Sequence, residues 1–169
     1  SFTGIRVGVA AVRGFALAAG RPTVSVTSLE ALAEEGRGLA SGRPVLAVLD
    51  ARKNEVYAQA FDAAGHPLGE AMVTPASAAA ARAADLAAVV IGSGAPLVAT
   101  VDPTLTVVAA TPFPAIETIA RLASPRLAAA SPDDRRPSPL YVRPPDAKPQ
   151  DAARLARLAP GRLATEGRG

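Results

Sequence analysis

The amino-acid sequence predicts an α/β protein built around a mixed β-sheet, and two observations carry this prediction. The first is a pair of apolar runs, 45–49 and 56–61, separated by a polar turn, which predicts a β-hairpin. The second is the series of elements after the hairpin: a further strand over 68–73, a helix from Pro75 to about Ala84, and a buried strand over 87–92. Strands that alternate with helices in this way indicate a sheet with helices packed on it.

The remaining elements complete a known order. A short strand is predicted around 105–108 and a helix over 113–122, which Pro125 interrupts. Three antiparallel strands, a helix, another strand and a further helix is the order of a ribonuclease-H-like lobe. Further on, 140–143 lies among prolines and is predicted to form an extended edge element.

The first forty residues predict a helix, a short strand and a second helix. Thr3 is placed to cap the first helix and Gly20 to end it. A β-branched strand over 23–26 comes next, and Ser28 is predicted to cap the second helix, which continues to about Leu39.

The first helix carries an unusual face of small residues. Gly4, Gly8 and Ala11 recur at helical spacing. An interior glycine costs a helix about 0.5 to 1 kcal/mol relative to alanine, so we expect another backbone to approach this face closely. A helix of the same chain and a helix of another protein are equal alternatives for that neighbour.

Composition excludes several kinds of chemistry. The 169 residues include no cysteine and one histidine, His66, which excludes thiolate and Cys-based metal sites and disfavours His-based ones. No apolar run is long enough for a bilayer span, so we expect a cytoplasmic protein without membrane contact. Residues 1–120 carry eight Lys or Arg against ten Asp or Glu, whereas 121–169 carry ten against five. The basic tail is interpreted as a solvated segment, with a nucleic-acid arm as the alternative.

Two local patterns could bind a ligand. Glycines 92 and 94 flank Ser93 after a strand and could cradle a phosphate, but a plain strand-to-helix turn is the favoured interpretation. Asp50 and Glu55, at the two ends of the hairpin turn, are the only carboxylates placed like a catalytic or metal-binding pair. For Asp50 and Glu55, too, the favoured interpretation is structural: a turn in which Asp50 binds nearby amides. We therefore expect no catalytic, cofactor or metal site.

Four stretches together resemble one family, the bacterial TsaB (YeaZ) proteins. They are Ser-Phe-Thr-Gly-Ile-Arg-Val-Gly over 1–8, Ser-Leu over 28–29, Leu-Asp-Ala-Arg-Lys-Asn-Glu-Val-Tyr over 49–57, and Pro-Leu-Tyr-Val-Arg over 139–143. The resemblance covers roughly residues 1–149. It implies an actin-like (ASKHA) protein of two ribonuclease-H-like lobes without catalytic activity of its own.

The resemblance also implies partners and a role. Members pair with TsaD, which carries the metal and transfers threonylcarbamoyl to adenosine 37 of tRNAs reading codons that begin with A; the ATPase TsaE joins the complex, and tRNA is contacted indirectly. A homodimer is expected when TsaD is absent. The implied partner interface lies on the first helix, at Phe2, Thr3, Gly4, Arg6, Gly8, Ala11 and Val12.

The match departs from the family at its start, where members carry further strands before the Ser-Phe-Thr-Gly stretch. We therefore interpret the chain as N-terminally truncated, with 1–40 a remnant of the first lobe, 41–145 the second lobe, and 146–169 a disordered basic tail. We expect the isolated chain to be less soluble or less stable than the full fold, and its pairing with TsaD is left open. The alternative function is a peptidase-like or nucleotide-hydrolysing ASKHA enzyme that uses Asp50 and Glu55.

Overall fold

The computed structural model describes residues 2–132, 134 and 136–143, apart from the side chain of Phe2. The predicted tail 146–169 and the residues just before it therefore lie outside the described residues. The helices are α1 (Phe2–Ala19), α2 (Ser28–Leu39), α3 (Ala76–Asp85), α4 (Ala95–Val101) and α5 (Ile116–Ala129). The strands are β1 (Val45–Arg52), β2 (Glu55–Phe61), β3 (Met72–Pro75), β4 (Val89–Ile91) and β5 (Val107–Ala109).

The five strands form one mixed sheet in the order β3-β2-β1-β4-β5. β1 pairs antiparallel with β2 and parallel with β4, β2 pairs antiparallel with β3, and β4 pairs parallel with β5. The predicted fold class, an α/β protein with a mixed sheet in the ribonuclease-H-like order, is confirmed.

The central strand β1 is apolar throughout its first half because both faces of the sheet are covered. Leu46 and Val48 pack with residues of α3 and α4, and Val45 and Ala47 pack with residues of α2 on the other face. Successive side chains of a strand point to opposite faces, so a strand covered on both sides needs a continuous apolar run.

Helix α2 is part of this sheet's core. Leu29 and Leu32 are buried in the same cluster as Val45. Gly36 is the point of closest approach, because a Cβ there would lie 2.9 Å from Val45 Cγ1. The placement of 1–40 in a first lobe stays a prediction, but its second helix packs on the sheet of 45–109.

Several predicted boundaries are wrong near the chain start. α1 begins at Phe2, so Thr3 lies within the helix and does not cap it. The cap of α2 is Thr27, whose hydroxyl accepts from the Glu30 amide at 3.1 Å, while Ser28 is the first helical residue. The predicted strand over 23–26 is not formed, and in the described residues this segment has no strand partner. The stop at Gly20 is confirmed by its φ of 59°.

Two further predictions fail later in the chain. The third strand spans Met72–Pro75 instead of 68–73, because Gly69, with φ of 138°, bends the chain after a single bridge between Phe61 and Pro67. Residues 140–143, predicted as an extended edge element, are described but form no strand and do not join the sheet.

α5 continues through Pro125 although proline removes one helical hydrogen bond. Contacts with α2 and the segment before it hold the last turn: Arg126 pairs with Glu30, and its Nη1 donates to the Ser25 carbonyl at 2.8 Å. Tertiary contacts here outweigh the local cost of the proline.

Glu34 on α2 links two helices and should make stability depend on pH. Its carboxylate accepts from Arg37 at 2.6 Å and from Arg121 of α5 at 2.7 Å. The hydrogen bond from Arg37 is the main cause of a lowered pKa of Glu34, and Arg121 adds to it against the effect of burial. A carboxyl whose pKa is lowered by folding stabilises the native state above its usual value of 4.5 and loses that contribution as pH falls through the folded pKa.

We therefore predict that Glu34→Gln lowers the free energy of unfolding by about 1 to 2 kcal/mol at neutral pH. Urea titrations from about pH 7 to about pH 3 should show the gap between the native chain and this variant closing as the pH decreases. Glu117→Gln, at an exposed position in the first turn of α5, serves as the control. A gap that stays constant down to pH 3 would show that the ion pairs contribute nothing.

Candidate partner interface

α1 is an apolar helix that the rest of the described chain leaves uncovered. None of residues 3–19 is buried. Val7, Phe15 and Leu17 are 63%, 76% and 66% exposed. Large apolar side chains of a helix are normally buried against other protein, so this exposed apolar surface marks α1 as a candidate binding surface.

The side of α1 that faces the rest of the chain can be identified from exposure. Val9, Arg13 and Ala16 are its half-buried residues. Residues on a helix are rotated by about 100° from one to the next, so Gly4 and Ala11 lie on the far side and Gly8 beside them. Apart from the backbone of α1 itself and the two residues next to Gly8, no described atom lies within 4 Å of a Cβ built at Gly8. Two neighbours were considered for the small face of α1, a helix of the same chain and a helix of another protein. Within the described residues, no helix of the same chain approaches Gly8.

The predicted interface residues are not all alike in the structure. Thr3, Gly4, Gly8, Ala11 and Val12 are exposed, and the side chain of Phe2 lies outside the described residues. Their role in binding a partner stays a prediction. Phe15, exposed on the same side as Ala11, was not among the predicted residues; its helical spacing of four from Ala11 could have indicated it.

The side chain of Arg6 contacts its own chain. Its Nε donates to the Tyr141 hydroxyl at 2.9 Å, and its guanidinium lies 5.5 Å from the centre of that ring. Arg13, one of the half-buried residues, donates from Nε to the Pro137 carbonyl at 2.7 Å. Both charged side chains of α1 are therefore directed at residues 137–143.

Asp50 and Glu55 do not form a two-carboxylate site. Asp50 pairs across the hairpin with Val56, so its side chain shares that residue's face, whereas the neighbouring Glu55 lies on the opposite face. Asp50 Oδ1 accepts from the Arg52 amide at 2.7 Å, as expected for a turn, and Glu55 pairs with Arg143. Across the described residues, no group of three His, Cys, Asp or Glu side chains could hold a metal ion.

The hairpin turn itself has a strained backbone. Arg52, Lys53 and Asn54 have φ of 67°, 53° and 60°, the left-handed region that favours glycine. The bond from the Arg52 amide to Asp50, and a second from the Ala76 amide to the Asn54 carbonyl at 3.1 Å, hold this conformation. The sequence did not predict it, since none of the three residues is glycine.

The Gly-Ser-Gly stretch is a strand-to-helix turn, as favoured. The Gly92 amide donates to the Ala109 carbonyl at 3.0 Å and the Gly94 amide to the Val48 carbonyl at 3.2 Å, so neither is directed at an anion. Ser93 Oγ accepts from the Asp50 amide at 3.1 Å. The turn fixes the two loops to each other and leaves no phosphate cradle at these amides.

The mixed sheet with helices on both faces defines a ribonuclease-H-like, actin-like protein. Residues 1–124 match the family described as TsaD, tRNA N6-adenosine threonylcarbamoyltransferase. The chain belongs to this family. Among the described residues, no helix combines the length and apolar character needed to cross a membrane.

Within the family, the similar proteins are TsaB (YeaZ) proteins. The tRNA threonylcarbamoyladenosine biosynthesis protein TsaB of Haemophilus influenzae (strain KW20 / Rd) is 42% identical over 57 residues, which cover 34% of this chain and 24% of that protein. TsaB of Escherichia coli K12 is 40% identical over 57 residues, which cover 34% of this chain and 25% of that protein. The matched stretch spans about a quarter of the length of these curated relatives.

Two solved structures extend the similarity to most of the chain. One, from Pseudomonas aeruginosa, is described as an uncharacterized protein with similarity to peptidase YeaZ; it has a TM-score of 0.65 and 27% identity and covers 85% of this chain and 69% of that one. The other, YeaZ from Pseudomonas aeruginosa, has a TM-score of 0.62 and 28% identity and covers 83% of this chain and 69% of that one. The predicted resemblance to the TsaB (YeaZ) family is confirmed.

Proposed function

We propose that this chain acts in tRNA threonylcarbamoyladenosine biosynthesis as a non-catalytic scaffold subunit. In this role it pairs with TsaD, within a complex that includes TsaE, to form the threonylcarbamoyl group on adenosine 37 of tRNAs reading codons that begin with A. The names of the TsaB relatives support the biosynthetic role. The chain takes no part in the chemistry and contacts tRNA only through the complex.

The observation that carries the pairing is the uncovered face of α1. Gly4, Gly8 and Ala11 allow a partner helix to approach the backbone, and Phe15 supplies a large apolar side chain beside them. No described part of the chain approaches Gly8, and a partner helix packed against it would account for a glycine that otherwise only weakens α1. When TsaD is absent, the same face pairs two copies of the chain.

Gly8→Leu tests this assignment. Leucine favours the helix, so the variant keeps α1, but its side chain fills the space that a partner helix would occupy. We expect the dissociation constant for purified TsaD, measured by calorimetry or surface plasmon resonance with this chain, to rise at least about tenfold, equal to about 1.4 kcal/mol.

Ala10→Leu is the matched control. Ala10 lies on the same helix and is also exposed, but it is rotated by about 160° from Gly8. It should change the affinity little. Undiminished binding by the Gly8 variant, or no binding by the unchanged chain, would contradict the proposal.

The alternative, a hydrolytic enzyme that uses Asp50 and Glu55, is favoured by the description of one structural neighbour as similar to a peptidase. Against it stand the placement of the two carboxylates on opposite faces and the ion pair of Glu55 with Arg143. Hydrolysis of a peptide or nucleotide by the purified chain, lost in Asp50→Asn, would favour the enzyme over the scaffold.

A further inference from the structure

Three stretches that lie far apart in the sequence meet through their side chains. Arg6 binds the hydroxyl and ring of Tyr141. Two residues beyond, Arg143 pairs with Glu55, and its guanidinium lies 5.9 Å from the centre of the Tyr57 ring. We propose that residues 137–143 form a strap that ties α1 to the β1–β2 hairpin and sets the position in which α1 is presented. Its importance for a partner rests on the proposed function.

The strap matters because, within the part of the chain that the structure describes, no buried residue fixes α1 on the fold. No residue over 3–19 is buried, so the helix lacks the apolar interface that normally fixes a helix on a sheet. Two of its side chains contact the strap: Arg6 near the start of the helix and Arg13 beyond its middle. Hydrogen bonds from a guanidinium are stronger than neutral ones, and two of them fix an orientation that one could not.

The strap's own sequence suits this role. Pro137 and Pro139 restrict the backbone dihedrals, so little conformational entropy is lost when the segment is held between α1 and the hairpin. Proline has no amide hydrogen, but its carbonyl accepts normally, and Arg13 uses that of Pro137. At the hairpin, Arg143 is held by a carboxylate and an aromatic face together, which suits its planar guanidinium.

Glu55 and Tyr57 therefore have an assigned task as the anchor of the strap. Both residues lie on β2, and Val56 between them is fully buried. The anchor therefore belongs to the rigid part of the fold. A change at the anchor should reach α1 even though neither residue touches it in any described contact. This remote effect distinguishes the strap from a purely local contact between Arg6 and Tyr141.

Backbone amide hydrogen exchange of the isolated full chain tests the proposal without any partner. Arg143→Ala and Tyr141→Ala should both accelerate exchange of the α1 amides at least about fivefold, because most helical stability in proteins comes from tertiary contacts and a released α1 would lose them. Amides of β1 and β2 should be unchanged. Ser138→Ala, at an exposed strap position, is the control that should leave α1 unchanged.

A charge exchange adds a rescue. Glu55→Arg combined with Arg143→Glu should return α1 exchange toward the native rate, whereas either change alone should accelerate it. Unaltered α1 exchange in Arg143→Ala would overturn the strap. Affinity for TsaD, measured in parallel, decides a separate point: if the native chain fails to bind TsaD, the proposed function fails while the exchange result still decides the strap.

Discussion

Gly92→Ala is expected to lower the free energy of unfolding by about 3 kcal/mol or more, the largest effect of an alanine substitution at any glycine within the described residues. Gly92 has a φ of 113°, which side-chain-bearing residues rarely adopt. A Cβ at this position would overlap the carbonyl oxygen of Val48 on β1. That oxygen belongs to the central strand and also accepts from the Gly94 amide, so it cannot move without disturbing the sheet.

Gly38→Ala provides the matched control in the same chain. Gly38 lies in α2 with no described atom within 4 Å of its Cβ position, so alanine should raise stability by about 0.5 to 1 kcal/mol. Equilibrium urea unfolding followed by circular dichroism measures both changes. A Gly92 variant as stable as the native chain would show that the turn after β4 relaxes freely.

The second large effect is expected from Leu32→Ala, with a loss of about 2 to 5 kcal/mol. Leu32 is fully buried between α2 and the sheet, in the cluster that includes Val45 and Ile91. Truncation removes apolar contacts and leaves a cavity that close-packed neighbours fill only in part.

Leu39→Ala is the control, since Leu39 ends the same helix and is 58% exposed; it should cost less than about 0.5 kcal/mol. The Leu32 result also bears on where the lobe begins. If residues 28–39 belong to the sheet's unit, the variant lowers the stability of the whole sheet in one transition. If α2 unfolds first and the sheet stays unaffected, the boundary predicted at residue 40 is supported instead.

The centre of the fold could be predicted from the sequence because its determinants are local. The run 45–49 is covered on both faces, and the polar turn after it leaves a single register for the hairpin. Prediction failed where a distant contact decides the outcome. The β-branched run 23–26 has strand propensity but no strand partner in the described residues, and α5 passes Pro125 because Arg126 is held by Glu30.

The exposed small face of α1 could be predicted from the sequence, whereas its role as an interface stays a prediction. The helical spacing of the glycines indicates the small face of α1. An interior glycine weakens a helix, so its presence suggests that another backbone packs closely there. The partnership of Arg6 with Tyr141 could not be predicted, because 135 residues separate them and nothing in either side chain specifies the other. The same holds for Glu55, whose pairing with Arg143 became evident only from the fold.

The orientation of two arginines has a consequence for how fast a partner can associate. Arg6 and Arg13 are the only charged side chains of α1, and both are held at residues 137–143. A protein that approaches the far face of the helix therefore meets no charge on it that would guide the encounter over a distance. Without such steering, association rate constants are typically about 10⁵ to 10⁶ M⁻¹s⁻¹ and change little with salt. Selectivity at this face then depends on shape, and the lifetime of a complex depends on how well a partner backbone fits against glycine.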